Sequence, residues 1–69
     1  MSLEGVREFI LSAAKKQGLS MAKLSKKADV PYNTLLRFTG GKGAMYFDNI
    51  RRVLLALGYD FAILMEVER

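Results

Sequence analysis

The 69-residue chain contains no Cys and no His. Thiol nucleophiles, imidazole bases and the soft ligand sets of zinc modules are therefore missing, and with them the commonest parts of small enzymes. No catalysis, metal or cofactor is expected. Disulfides are excluded as a source of stability, and zero Cys suits a reducing, cytoplasmic compartment. A domain this short buries only about 60% of the surface its unfolded chain exposes, which leaves a second subunit as the expected supplement to a thin core. Long apolar runs are lacking too. The opening residues, MSLEGVREF, carry acids early, so neither a signal peptide nor a membrane span is readable.

What the chain does have is lysine and arginine, unevenly spread. The formal charge is +4 and the pI near 9.7. Residues 1–58 hold ten of the eleven bases and four of the seven acids, whereas residues 59–69 hold one base and three acids. That asymmetry suits a polyanionic partner for the basic part, although a solvated Lys-rich surface would have the same composition.

Periodicity divides the basic part into four helices. From Leu3 to Gln17, the residues Val6, Phe9, Ile10, Ala13, Ala14 and Gln17 recur at helical spacing, with Ser2 as candidate N-cap. Glu4 at the start and Lys15 and Lys16 at the end complement the helix dipole, and Gly18 is expected to stop the helix in the left-handed conformation. Ser20 caps a second helix, Met21 to Ala28, with Leu24 and Ala28 on one face and Lys23, Lys26 and Lys27 off it. After Asp29 and Val30, Pro31 suits the first turn of a third helix, where its missing N–H would be unpaired anyway. Leu35 and Phe38 give that helix a narrow apolar stripe. The run Gly40-Gly41-Lys42-Gly43 predicts a flexible connection. A fourth helix is expected from about Tyr46 to Leu57, with Phe47, Ile50, Val53, Leu54 and Leu57 inward and Gly58 closing it.

Beyond Gly58 the pattern changes from helical to alternating. Tyr59, Phe61, Ile63, Met65 and Val67 alternate with Asp60, Ala62, Leu64, Glu66 and Glu68, as in a strand. No other segment reads as a strand, and a lone strand leaves its backbone donors and acceptors unpaired. The expected partner is the same segment of a second copy, in an antiparallel ribbon across a twofold axis. Tyr59, Phe61, Ile63, Leu64, Met65 and Val67 would then form the dimer interface. A strand folded back on its own domain is the alternative.

The segment GLSMAKLSKKADVPYNTLLRFTGG, residues 18–41, sets small, apolar and capping residues in a particular register: Gly18, Leu19, Leu24, Val30, Thr34 and Gly41, with Ser20, Ser25, Leu35 and Phe38 as conservative matches. In this it resembles the helix-turn-helix of the lambda-repressor-like (Cro/Xre) family, whose pattern reads G-L-T-Q-x-x-L-A-x-x-x-G-V-S-x-x-T-I-S-x-I-E-x-G. The ALG ending at residues 56–58 is similar to the close of that family's fourth helix, so the resemblance covers residues 3–58. It implies a mainly α, four-helix DNA-binding domain at 1–58, with the motif at 21–40 and a recognition helix at about 31–39. The C-terminal strand, 59–69, would pair across a homodimer. Three departures stand out. Asp29 replaces the turn Gly at a position that is commonly left-handed, which Asp tolerates better than most residues. Met21 replaces the Gln that often starts the second helix, so no polar readout is expected of it. Tyr46 stands where relatives usually have a capping residue.

By this resemblance the third helix lies in the major groove and its exposed early residues read base edges. That assigns base readout to Tyr32, Asn33 and Arg37: Asn can hold adenine bidentately and Arg guanine, while Tyr32 could instead touch backbone. Lys23, Lys26, Lys27, Thr34, Lys42 and the N–H of Gly43 are candidates for the phosphate backbone. Plainer roles compete, since exposed lysines also serve solubility and the Thr34 hydroxyl could bond a carbonyl one turn back. Gly40 to Gly43 is no nucleotide loop, because no strand precedes it and no Ser or Thr follows Lys42. Arg51 and Arg52 read as a solvated face or an ion pair with Asp48. The expected function is sequence-specific binding of double-stranded DNA by a homodimeric transcriptional regulator, a repressor at a palindromic operator. The alternatives are an antitoxin-type autoregulator that also binds a toxin protein, and a protein-interaction module that has lost DNA binding, as the Met21 and Asp29 departures permit.

Overall fold

The computed structural model describes residues 3–59, and within them lie four α-helices and no strand. They are α1 (Leu3–Lys16), α2 (Met21–Ala28), α3 (Tyr32–Thr39) and α4 (Phe47–Ala56). The expected cap Ser2 and the alternating segment after Tyr59 lie outside the described residues. No helix among the described residues is long and apolar enough to cross a membrane.

Apolar residues at helical spacing meet in one core. Val6, Ile10, Ala13 and Ala14 of α1, Leu24 and Ala28 of α2, Leu35 and Phe38 of α3, and Ile50, Val53 and Leu54 of α4 are all buried, joined by Val30, Met45 and Leu57 from the connections. α2 packs on both α3 and α4, and α1 packs on α3. An isolated helix of eight residues is not stable in water, so α2 and α3 owe their existence to this burial. Ser25 shows why a small residue is needed where α2 meets its neighbours: it is buried, and its hydroxyl is satisfied by the Ala22 carbonyl at 2.7 Å.

All four helices end in the same six-residue turn. The N–H of Leu19 bonds the carbonyl of Ala14, Val30 that of Ser25, Lys42 that of Arg37 and Tyr59 that of Leu54, at 2.8 to 3.0 Å. The residue before each of these donors, Gly18, Asp29, Gly41 or Gly58, is left-handed, which completes a Schellman motif. Starts are as regular as stops. Leu19 and Leu24, Val30 and Leu35, and Met45 and Ile50 stand just before the cap and one turn inside α2, α3 and α4, which is the spacing of a hydrophobic staple. Leu19 and Val30 thus serve twice, closing one helix and opening the next, and this keeps the connections short. Ser20 caps α2 as expected, its Oγ accepting from the Lys23 N–H at 3.1 Å.

Helix ends are also where the expected arrangement is corrected. Gln17 lies beyond α1 and is exposed; its amide donates to the Leu57 carbonyl at 2.7 Å and ties the end of α1 to the end of α4. Phe47 is not inward but 61% exposed, because Met45 occupies the core ahead of the helix and sets its rotation. Tyr46 is the N-cap of α4 with no side-chain hydrogen bond. Pro31 stands one place earlier than the first turn, as the N-cap of α3, its carbonyl accepting from Leu35 at 3.1 Å. The glycine run is a formed cap in which Gly40 is right-handed and Gly41 left-handed. Arg52 does not turn to Asp48; its guanidinium reaches the Asp29 carbonyl at 3.4 Å. Tyr59 joins the helical domain, half-buried, with its ring 4.9 Å from that of Phe9 at an edge-on angle.

Candidate nucleic-acid interface

Three residues, Asp29, Val30 and Pro31, join α2 to α3. Asp29 takes φ 57 and ψ 47, so the turn keeps its left-handed residue without glycine. Val30 is buried beneath it and holds the crossing. The first turn of α2 meets the last turn of α3, where the Thr39 hydroxyl lies 3.8 Å from the Met21 sulfur. Met21 is half-buried against the core, and its sulfur accepts from that hydroxyl.

With α3 held this way, Leu35, Phe38 and Thr39 face the core and Tyr32, Asn33, Leu36 and Arg37 face solvent. The three residues expected to read bases share this outward face. Among the described residues none of their side chains makes a hydrogen bond. Leu36 is the member that helical spacing alone did not single out, because a two-residue apolar stripe leaves the side of a third apolar residue undecided.

Thr34 sits at the edge of that face, half-buried. It makes no bond to the preceding turn, unlike Thr39, whose hydroxyl donates to the Leu35 carbonyl at 2.9 Å. Thr34 instead lines a surface concavity of about 520 Å³ shared with Pro31, Ala44, Met45, Tyr46 and Asn49. Asn49 was not marked in the sequence; it reaches this place only because the 40–46 connection returns the chain beside the start of α3.

The lysines divide. Lys26 lines a second concavity together with Ser25, Asp29, Val30, Pro31 and Tyr32, which puts a cation beside the start of α3. Lys23 and Lys27 are exposed on α2, about 60° and 100° further round the helix from Lys26 by helical geometry, on its outer side. Lys42 lies at the other end of α3. In the other three helix ends the matching position is Leu19, Val30 or Tyr59, each packed on the core, whereas Lys42 is exposed. The end of α3 thus departs from the rule in favour of a cation. Gly43 lies against Arg37: a Cβ there would be 3.4 Å from the Arg37 Cβ and 3.6 Å from its Nε. Those are ordinary van der Waals distances, so a side chain at this position would touch the Arg37 stem without displacing it.

Arg7 is a residue that sequence reasoning missed. From α1 its Nε donates to the Phe38 carbonyl at 2.7 Å, and its guanidinium carbon lies 5.1 Å from the Phe38 ring centroid. A cation at the C-terminal end of α3 suits the helix dipole and pins that end to α1. No sequence pattern marks a bond to a backbone carbonyl so far along the chain. No group of three or more Asp or Glu residues that could hold a metal gathers among the described residues. Comparison with protein-family models, curated proteins and solved structures finds no match, so function is argued from the geometry of the chain itself.

Proposed function

We propose that the chain binds double-stranded DNA sequence-specifically as a homodimer and regulates transcription, acting as a repressor by occupying a palindromic operator. The observation that carries this is the outward face of α3, where Asn33 and Arg37 are exposed and make no side-chain hydrogen bond among the described residues, with Lys26 at one end and Lys42 at the other. Asn and Arg are the two side chains best suited to bidentate contacts with adenine and guanine in the major groove, and lysines at both ends match phosphates on either side of it. The lambda-repressor-like architecture is part of the same proposal, supported by the short α2 to α3 turn and the packing of four helices on one core. In the dimer each copy reads one half-site, and the C-terminal strand expected at 59–69 supplies the twofold contact.

Selection of bound duplexes from a random pool tests the proposal. The expected outcome is one enriched palindromic sequence, bound with a log K that falls linearly with log salt. Equal affinity for all duplexes, or no binding at low salt, would sink it.

A further inference from the structure

Single exposed apolar residues need no explanation, and this surface has several. Leu36 differs in its setting. It is 43% exposed and lies midway along the outward face of α3. Tyr32 and Asn33 stand one turn before it and Arg37 beside it, while Gly40, one turn after, has no side chain to cover it. Lys26 and Asp29 flank the start of the face, while Arg37 on it and Lys42 beyond its end add cations. A protein groove lined by carboxylates and a nucleic acid would both complement that charge, but Asn33 and Arg37 beside the leucine match base edges. In a major groove the apolar group at that depth is the C5-methyl of thymine.

We propose that Leu36 is a specificity-determining residue that packs against a thymine C5-methyl group in the major groove, between the bases read by Asn33 and Arg37; this rests on the DNA-binding reading above. The chemistry is contact and exclusion together. A leucine offers no hydrogen bond, so pressing it on the N4 amino group of cytosine would strip that donor of water without replacement. Against thymine, the same side chain covers a methyl group and frees water from both. The preference is therefore for a methylated pyrimidine edge, and 5-methylcytosine should recover part of what cytosine loses.

The test uses the full chain and the enriched duplex, with each thymine replaced in turn by uracil, which removes only the methyl group. One position per half-site should weaken binding about four-fold, the factor that corresponds to one buried methyl-sized group. Leu36→Ala should bind less tightly than wild type and be indifferent to uracil at that position, while Asn33→Ala should keep the uracil penalty. Leu36 is exposed, so the variant should fold, as circular dichroism would check. The proposal is overturned if no uracil replacement affects the wild type, or if Leu36→Ala keeps the full penalty. It is likewise overturned if Leu36→Ala turns a dimer into a monomer in sedimentation, which would place the side chain at a protein contact. A pool with no enriched sequence would instead overturn the DNA-binding reading itself, and this proposal with it.

Discussion

Asp29 holds its left-handed backbone without glycine's freedom, and its carboxylate lies at the C-terminal end of α2, where the helix dipole disfavours an anion. Asp29→Gly should therefore stabilise the domain by about 1 kcal/mol, raising Tm by roughly 4–8 °C. The contact from Arg52 is to the Asp29 carbonyl and would survive the change. Thermal denaturation checks this, and a lower Tm would show that the carboxylate has a stabilising role. Arg7 works in the opposite direction. Arg7→Ala leaves the Phe38 carbonyl without its charged donor, a loss of about 1.5–3 kcal/mol by chemical denaturation, and Arg7→Lys should recover only part because the planar stacking on Phe38 is gone. On the outward face the effects should separate from stability. Arg37→Ala and Asn33→Ala should each cost about 1–3 kcal/mol of binding at one base pair per half-site with an unchanged denaturation midpoint. Uniform weakening over all sequences would make them backbone contacts.

Elements were more legible in the sequence than their ends. The four helices and nearly all of the core followed from apolar spacing, because Val6, Ile10, Leu24, Leu35, Val53 and their neighbours have no other way to leave water together. Gln17 and Phe47 were placed inward by extending the same period one step too far. At those positions the junction decides, through the cap at Gly18 in one case and the burial of Met45 in the other. The candidate site was legible where it is local, as at Asn33 and Arg37, and illegible where it depends on distant chain segments, as at Arg7, Asn49 and the division of Lys26 from Lys23 and Lys27. The position of Lys42 at the close of α3 makes an element-level prediction. If it neutralises one phosphate, Lys42→Ala should flatten the slope of log K against log salt by about one per half-site with base preference intact. A slope that does not change would remove Lys42 from the interface.

At the scale of the whole molecule, the described residues span 30 × 24 × 19 Å. One DNA turn is about 34 Å, so under the proposed function a single domain would cover at most one major-groove face and a palindrome would call for two copies. Tyr59, the last described residue, is held to the domain through its N–H to the Leu54 carbonyl and its ring on Phe9. Ile63→Asp, or deletion of residues 60–69, should yield monomers in sedimentation and reduce operator affinity more than Lys42→Ala does. A stable dimer in both variants would show that the helices hold the copies together. Scaffold and reading surface are otherwise separable. Among the described residues Tyr32, Asn33, Leu36 and Arg37 make no side-chain hydrogen bond to the rest of the protein, whereas Leu35 and Phe38, interleaved with them, are fully buried. On the DNA-binding function proposed above, a lineage could therefore revise its target one codon at a time, on a framework that registers almost none of the changes, and drift toward a new operator without passing through an unfolded ancestor.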